Sequence, residues 1–221
     1  MTFSGREEAG LLLAGVLREK LNLSDNTLIL AIPRGGVPVA FAISTELRFP
    51  MSLVIVRKLG LPWNEEAGFG AVDPDGSTYL DQDIVNSAKL DSESIRNIAD
   101  RELKEIRRRE SKFLPSGYPD MENRQVVVVD DGIATGYTAI AACGFAKRRG
   151  AKMVAVAVPV CPSDSDLRFK DISDRFICYH RAGEFSFAVG MFYRDFHQLS
   201  DDEVMSYIKK ASEMGLFEPS V

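Results

Sequence analysis

The chain has 221 residues, 45% of them hydrophobic, and a formal net charge of -5. That is enough apolar material for one core and one domain, and the mild acidity removes any electrostatic reason for nonspecific affinity to nucleic acid or an anionic membrane. Three cysteines without C-x-x-C spacing (Cys143, Cys161 and Cys178) argue against a disulfide framework or structural zinc, and with no leader-like N-terminus and no membrane-length apolar run the expectation is a cytoplasmic protein.

In chain order, Ser4 and Glu7 have capping-box spacing, and Leu12, Leu13, Val16 and Leu17 predict the apolar stripe of a first helix. Runs rich in Val, Ile and Leu follow at 27–33 and 51–57, and later at 126–130, 153–160 and 176–180. They lack the alternation of a half-exposed strand, so they read as strands buried on both faces. Helical patterns between them predict an α/β fold: an open, mainly parallel sheet of about five strands flanked by helices. Residues 61–121 interrupt this rhythm as an insertion. There "GFGAVDPDGSTYL" predicts a hairpin around Pro-Asp-Gly, and a charged helix carries Ile95, Ala99, Ile106 and Phe113 on one face. After Thr138 a small-residue helix ends in Lys147, Arg148 and Arg149 before Gly150, cations that complement a helix dipole. Ser200 and Glu203 repeat the capping box before Val204, Tyr207 and Ile208. Residues 1–221 thus read as a single domain, with a core at about 24–60 and 122–181 and a small hood from the first helix and about 159–199.

In an open parallel sheet, ligands bind beyond the carboxyl ends of the strands. Here the first predicted strand runs into Pro33-Arg34-Gly35-Gly36 and the second ends in Arg57-Lys58. The third ends in Asp130-Asp131, followed by Gly132, Ile133, Ala134, Thr135, Gly136, Tyr137 and Thr138. The turn from Ala134 to Thr138 offers successive amides, hydroxyls and a helix N-terminus for a phosphate. Paired aspartates can accept hydrogen bonds from vicinal hydroxyls, with a divalent cation offsetting their repulsion. Arg34 and its glycines suit a second, more highly charged phosphate group. His180 and His197 lack partners at metal or triad spacing and read as structural.

"VVVVDDGIATGYT" resembles the phosphoribosyl-pyrophosphate signature of the type I phosphoribosyltransferases, departing at Gly132, where an aliphatic residue or Ser is usual. "IPRGGVPVA" is similar to that family's pyrophosphate loop. The resemblance implies that Asp130 and Asp131 contact the ribose hydroxyls and that residues from Ile133 through Ala134, Thr135, Gly136, Tyr137 and Thr138 cradle the 5-phosphate. It implies that Arg34, Gly35, Gly36, Arg57 and Lys58 hold pyrophosphate, with Arg34, Lys58, Asp130 and Asp131 as the catalytic set. Mg2+ would arrive on the substrate, with no direct protein ligand beyond a water-mediated link to Asp130 and Asp131. The implied partners are phosphoribosyl pyrophosphate, a small nitrogenous base and a second copy of the chain as a homodimer. Ala134 stands where members acting on 6-oxopurines carry an acid, which points toward adenine- or uracil-type acceptors. Phe185, Phe187, Phe192 and Tyr193 are candidates to stack on the base.

The family's mobile loop would fall at residues 60–80, and that stretch contains Trp63, Glu65 and Glu66 but no Lys or Arg. Arg96, Arg101 or a neighbouring subunit could supply the cation. Three functions therefore stand: a phosphoribosyltransferase, a regulator that binds phosphoribosyl pyrophosphate or a nucleotide without turnover, and a hydrolase-like member using water.

Overall fold

The five apolar runs become the five strands of one parallel sheet, shown by a computed structural model that describes residues 2–183 and 187–220, apart from the side chains of Glu65 and Glu66. In chain order the elements are α1 (Arg6–Lys20), β1 (Thr27–Ala31), α2 (Gly36–Leu47), β2 (Met51–Leu53), β3 (Arg57–Leu61), β4 (Asn64–Val72), β5 (Thr78–Leu80) and α3 (Gln82–Ser87). They continue with α4 (Ser92–Phe113), β6 (Gln125–Val129), α5 (Tyr137–Arg148), β7 (Met153–Pro162), α6 (Ser165–Phe169), β8 (Arg175–Ala182), a 3-10 turn (Val189–Phe192) and α7 (Asp201–Glu213).

The large sheet has the order β2-β1-β6-β7-β8, and every neighbouring pair is parallel. Along β6, Val127 and Val129 pack with Leu13, Leu17, Ile43 and Ile208 from α1, α2 and α7, while Val126 and Val128 pack with Ala142 and Phe145 of α5. Both faces are covered, which is why these strands read as unbroken apolar runs. Each buried Val, Leu, Ile or Phe among them contributes about 1.5–3 kcal/mol on burial.

The run at 51–57 divides where no compositional change marks it. Only Met51–Leu53 pairs with β1, and Arg57 opens β3 of a separate antiparallel sheet, β3-β4-β5. Val54, Ile55 and Val56 stay buried across the join, so apolar composition continues after the parallel ladder has ended. The predicted Pro-Asp-Gly turn joins β4 to β5: Asp73 Oδ1 accepts from the amides of Asp75 and Ser77, and Gly76 has φ +87°. Arg148 donates to Asp73 and to Tyr79 Oη, while Arg149 pairs with Asp75 at 3.1 Å. The basic end of α5 therefore fastens the small sheet to the core as well as complementing a dipole.

The Ser4–Glu7 capping box does not form. Gly5 is the N-cap of α1 without a side-chain cap, the Ser4 amide donates to Glu8, and Glu7 accepts from Tyr207 Oη of α7. Phe3 pairs with the 3-10 segment through Phe3 N to Phe192 O (2.7 Å) and Arg194 N to Phe3 O (2.8 Å), which sets the direction from which the chain enters the helix. The capping box at Ser200 and Glu203 is present.

Candidate functional site

From β1 the chain crosses outward to β2, and from β6 it crosses the other way to β7, so β1 and β6 flank the point where strand order reverses. The crevice beyond their carboxyl ends is where such sheets hold ligands. The Arg34-Gly35-Gly36 turn and the Asp130-Asp131 pair both lie there, in contact with one another. A Cβ on Gly35 would sit 2.0 Å from Asp131 Oδ2, and one on Gly36 would sit 2.5 Å from the Val129 carbonyl oxygen and 3.0 Å from Asp130 Cα. The two glycines are what allow the turn to close against the acidic strand end.

Asp130 Oδ1 accepts from the Asp131 amide at 2.9 Å, and Asp131 Oδ2 accepts from Arg6 Nε at 2.8 Å. The Tyr193 hydroxyl donates to the Asp131 carbonyl oxygen. Burial, reinforced by the adjacent Asp131 charge, raises the Asp130 carboxyl well above its ordinary range. Burial also raises Asp131, against the lowering pull of Arg6. An acid whose pKa is higher folded than unfolded binds more protons in the native state, so stability falls as pH rises from the ordinary carboxylate range through the raised value. Asp130→Asn keeps the amide acceptor and removes the charge. It is expected to raise Tm at neutral pH by about 2–4 °C per kcal/mol of repulsion relieved, and to change it little near about pH 3, where both forms are neutral. Thermal melts at the two pH values measure this; an equal gain at both would show that charge is not the cause.

The phosphate-type loop is built from both sides. Ile133 is buried and its amide donates to the Val160 carbonyl at 3.0 Å, tying the loop to β7, while Ala134 and Thr135 are exposed. Gly136 is the N-cap of α5 with φ +86°, a conformation that calls for glycine, and the Phe169 ring 3.2 Å from where its Cβ would be leaves little room for a side chain. No side chain caps α5, which leaves first-turn amides and the positive end of the helix beside Tyr137 and Thr138. Arg168 Nη1 donates to the Thr135 carbonyl at 2.8 Å, a cation at this rim that the sequence did not single out. The departure at Gly132 has a steric cause: a Cβ there would lie 2.5 Å from Val189 Cγ1 of the 3-10 turn.

Arg34 and Arg57 meet in one cavity of about 310 Å³, lined also by Gly35, Asp131, Arg6 and Arg109. Lys58, one residue along β3, is not among the lining residues; strand alternation turns it to the opposite face, where its aliphatic stem covers Gly68. Arg6 and Arg109 are additions. Arg109 had a readable signal, since it lies three residues after Ile106 and four before Phe113 and so shares their buried stripe. Arg6, 125 positions from Asp131, had none. Arg96 and Arg101, the predicted stand-ins for a loop cation, are both exposed on α4.

Among the candidate aromatics, Tyr193 is buried against Phe3, and Phe187 packs on Phe192 with ring centroids 5.5 Å apart. Phe185 lies outside the described residues. His197 is exposed between Asp195 (2.8 Å) and Glu203 (2.7 Å), which hold its pKa above the usual histidine value. Among the described residues no three His, Cys, Asp or Glu side chains gather to hold a metal, and no helix is long and apolar enough to cross a membrane.

The family model described as "Phosphoribosyl transferase domain" matches residues 8–189. Over 210 residues, 95% of the chain, there is 40% identity to Rv0571c of Mycobacterium tuberculosis H37Rv and to MT0597 of the CDC 1551 strain, both provisionally named phosphoribosyl transferases. The chain spans 47% of the length of these relatives, about half. The crystal structure of TT1426 from Thermus thermophilus superposes with a TM-score of 0.76 at 32% identity, over 94% of this chain and 97% of that one.

Proposed function

Because the chain belongs to the phosphoribosyl transferase domain family, we propose that it transfers the 5-phosphoribosyl group from phosphoribosyl pyrophosphate to a small nitrogenous base, releasing pyrophosphate. The observation that carries this reading is the packing of the Arg34-Gly35-Gly36 turn against Asp131, beside a cavity rich in arginine. A sugar bearing phosphates at both ends spans such a rim: the 5-phosphate on the amides of Thr135 to Thr138, the hydroxyls on Asp130 and Asp131, the pyrophosphate at Arg34 and Arg57. Attack by a ring nitrogen forms the C1–N bond as the C1–O bond breaks, the electron pair leaves with pyrophosphate, and the proton displaced from the nitrogen passes to the released pyrophosphate or to solvent. Charge grows on the leaving group, where preorganised guanidinium donors stabilise it. Two partly buried carboxylates suit a hard cation carried in on the substrate, and Mg2+ supplies further charge neutralisation when bound. The acceptor pocket falls to the hood, and Ala134 favours an adenine- or uracil-type base.

The second reading, a regulator that binds without turnover, is favoured by the absence of Lys and Arg from residues 59–80. One experiment separates them. Purified protein with phosphoribosyl pyrophosphate and Mg2+ is expected to release pyrophosphate only when the matching base from a panel is added. Tight binding with no release across the panel would support the regulator, and release without any base would support a hydrolase-like activity.

A further inference from the structure

The cavity beside Asp131 is more basic than its signature motifs require. Arg57 opens β3 and Arg109 stands four residues before the end of α4, elements outside the parallel sheet, yet both line the cavity with Arg34. The two are held in the same way. Arg57 Nε donates to Glu102 at 2.8 Å and Arg109 Nε donates to Glu105 at 2.8 Å, each carboxylate coming from α4. For both arginines the terminal Nη groups have no hydrogen-bond acceptor among the described residues. The Arg109 side chain is only 8% exposed. Burial lowers its pKa below the usual arginine value, and the charges of Arg57 and Arg34 add to that effect. Glu105, held down at about 2 by Arg108 and Arg109, keeps its counter-charge.

Gathering four guanidinium groups, those of Arg6, Arg34, Arg57 and Arg109, around one cavity costs stability, and a ligand carrying several negative charges offsets that cost. Planar forks with free ends match the paired oxygens of phosphate groups. Arg101 pairs with Glu102 while remaining 56% exposed, and neither it nor Arg96 lines the cavity. From this arrangement we propose that Arg109 is a catalytic residue that contacts the departing diphosphate, supplying from helix α4 the cation that residues 59–80 lack. The assignment rests on the reaction proposed above, and no proton passes to or from Arg109 in that step.

Titration calorimetry with inorganic pyrophosphate and Mg2+ tests the assignment without an acceptor or turnover. Arg109→Met, which keeps the packing of the stem, is expected to weaken pyrophosphate binding by at least about tenfold and to leave ribose 5-phosphate binding unchanged. Arg109→Lys should recover part of the loss, because it restores charge without the fork, and Arg96→Ala should match wild type. Circular dichroism melts establish that each variant is folded at the titration temperature, and the lysine variant carries the test should the methionine variant not fold. Pyrophosphate affinity within about twofold of wild type in both Arg109 variants, on the scale of a lost charged contact, would overturn the assignment, as would an equal loss of ribose 5-phosphate affinity. Failure of the wild-type protein to bind either ligand would count against the parent reaction itself, a result distinct from wild-type binding that is indifferent to Arg109.

Discussion

Gly35→Ala is expected to lower turnover about a hundredfold while leaving the protein folded. The new methyl carbon would stand 2.0 Å from Asp131 Oδ2, well inside any tolerable contact. Two responses are open. The carboxylate can rotate away, which breaks its 2.8 Å contact with Arg6, or the Arg34-Gly35-Gly36 turn can lift from the strand end. Either one moves a group proposed to bind ribose or pyrophosphate, and a displacement of about 1 Å in a reacting geometry is enough for a loss of that size. Stability should change little where the Asp131 carboxylate gives way, and fall modestly where the turn lifts instead. Gly15→Ala is the control: nothing lies within 4 Å of its Cβ, and in the interior of α1 the change should stabilise by up to about 1 kcal/mol. Steady-state pyrophosphate release and thermal melts on both variants check this, and a Gly35→Ala enzyme with wild-type turnover would show that the Asp131 position does not matter.

Arg34→Ala is expected to lower kcat/KM by about 3 kcal/mol of transition-state stabilisation, again roughly a hundredfold. In the proposed reaction, charge accumulates on pyrophosphate as the C1–O bond breaks, so a donor fixed beside it contributes more in the transition state than in the bound substrate. The folded state depends on this side chain much less. Arg34 lies 3.5 Å from Asp201 and is a quarter exposed, while Asp201 keeps Arg108 at 3.0 Å. Tm should therefore stay close to wild type. Arg34→Lys should recover only part of the rate, since an ammonium cannot present two parallel donors. A wild-type kcat/KM in Arg34→Ala would remove this residue from the leaving-group site.

Local order along the chain was enough for the five strands, because a sheet covered on both faces needs apolar residues at consecutive positions whatever their neighbours. It was enough for the acidic pair and the loop after it, because both belong to one strand end and the turn leaving it. It was also enough for the turn at Asp73 and the cap at Ser200, where every partner lies within a few residues. Folding decided the rest. It ended the parallel ladder at Leu53 although Val54 to Val56 remain buried, and it turned Arg57 toward the cavity and Lys58 away from it. It brought Arg6 across 125 positions to Asp131 and set Arg109 beside Arg34 and Arg57. Those placements follow from how α1 and α4 pack on the sheets, and the direction of a charged side chain after such packing depends on contacts made by other segments, which no spacing along its own segment encodes.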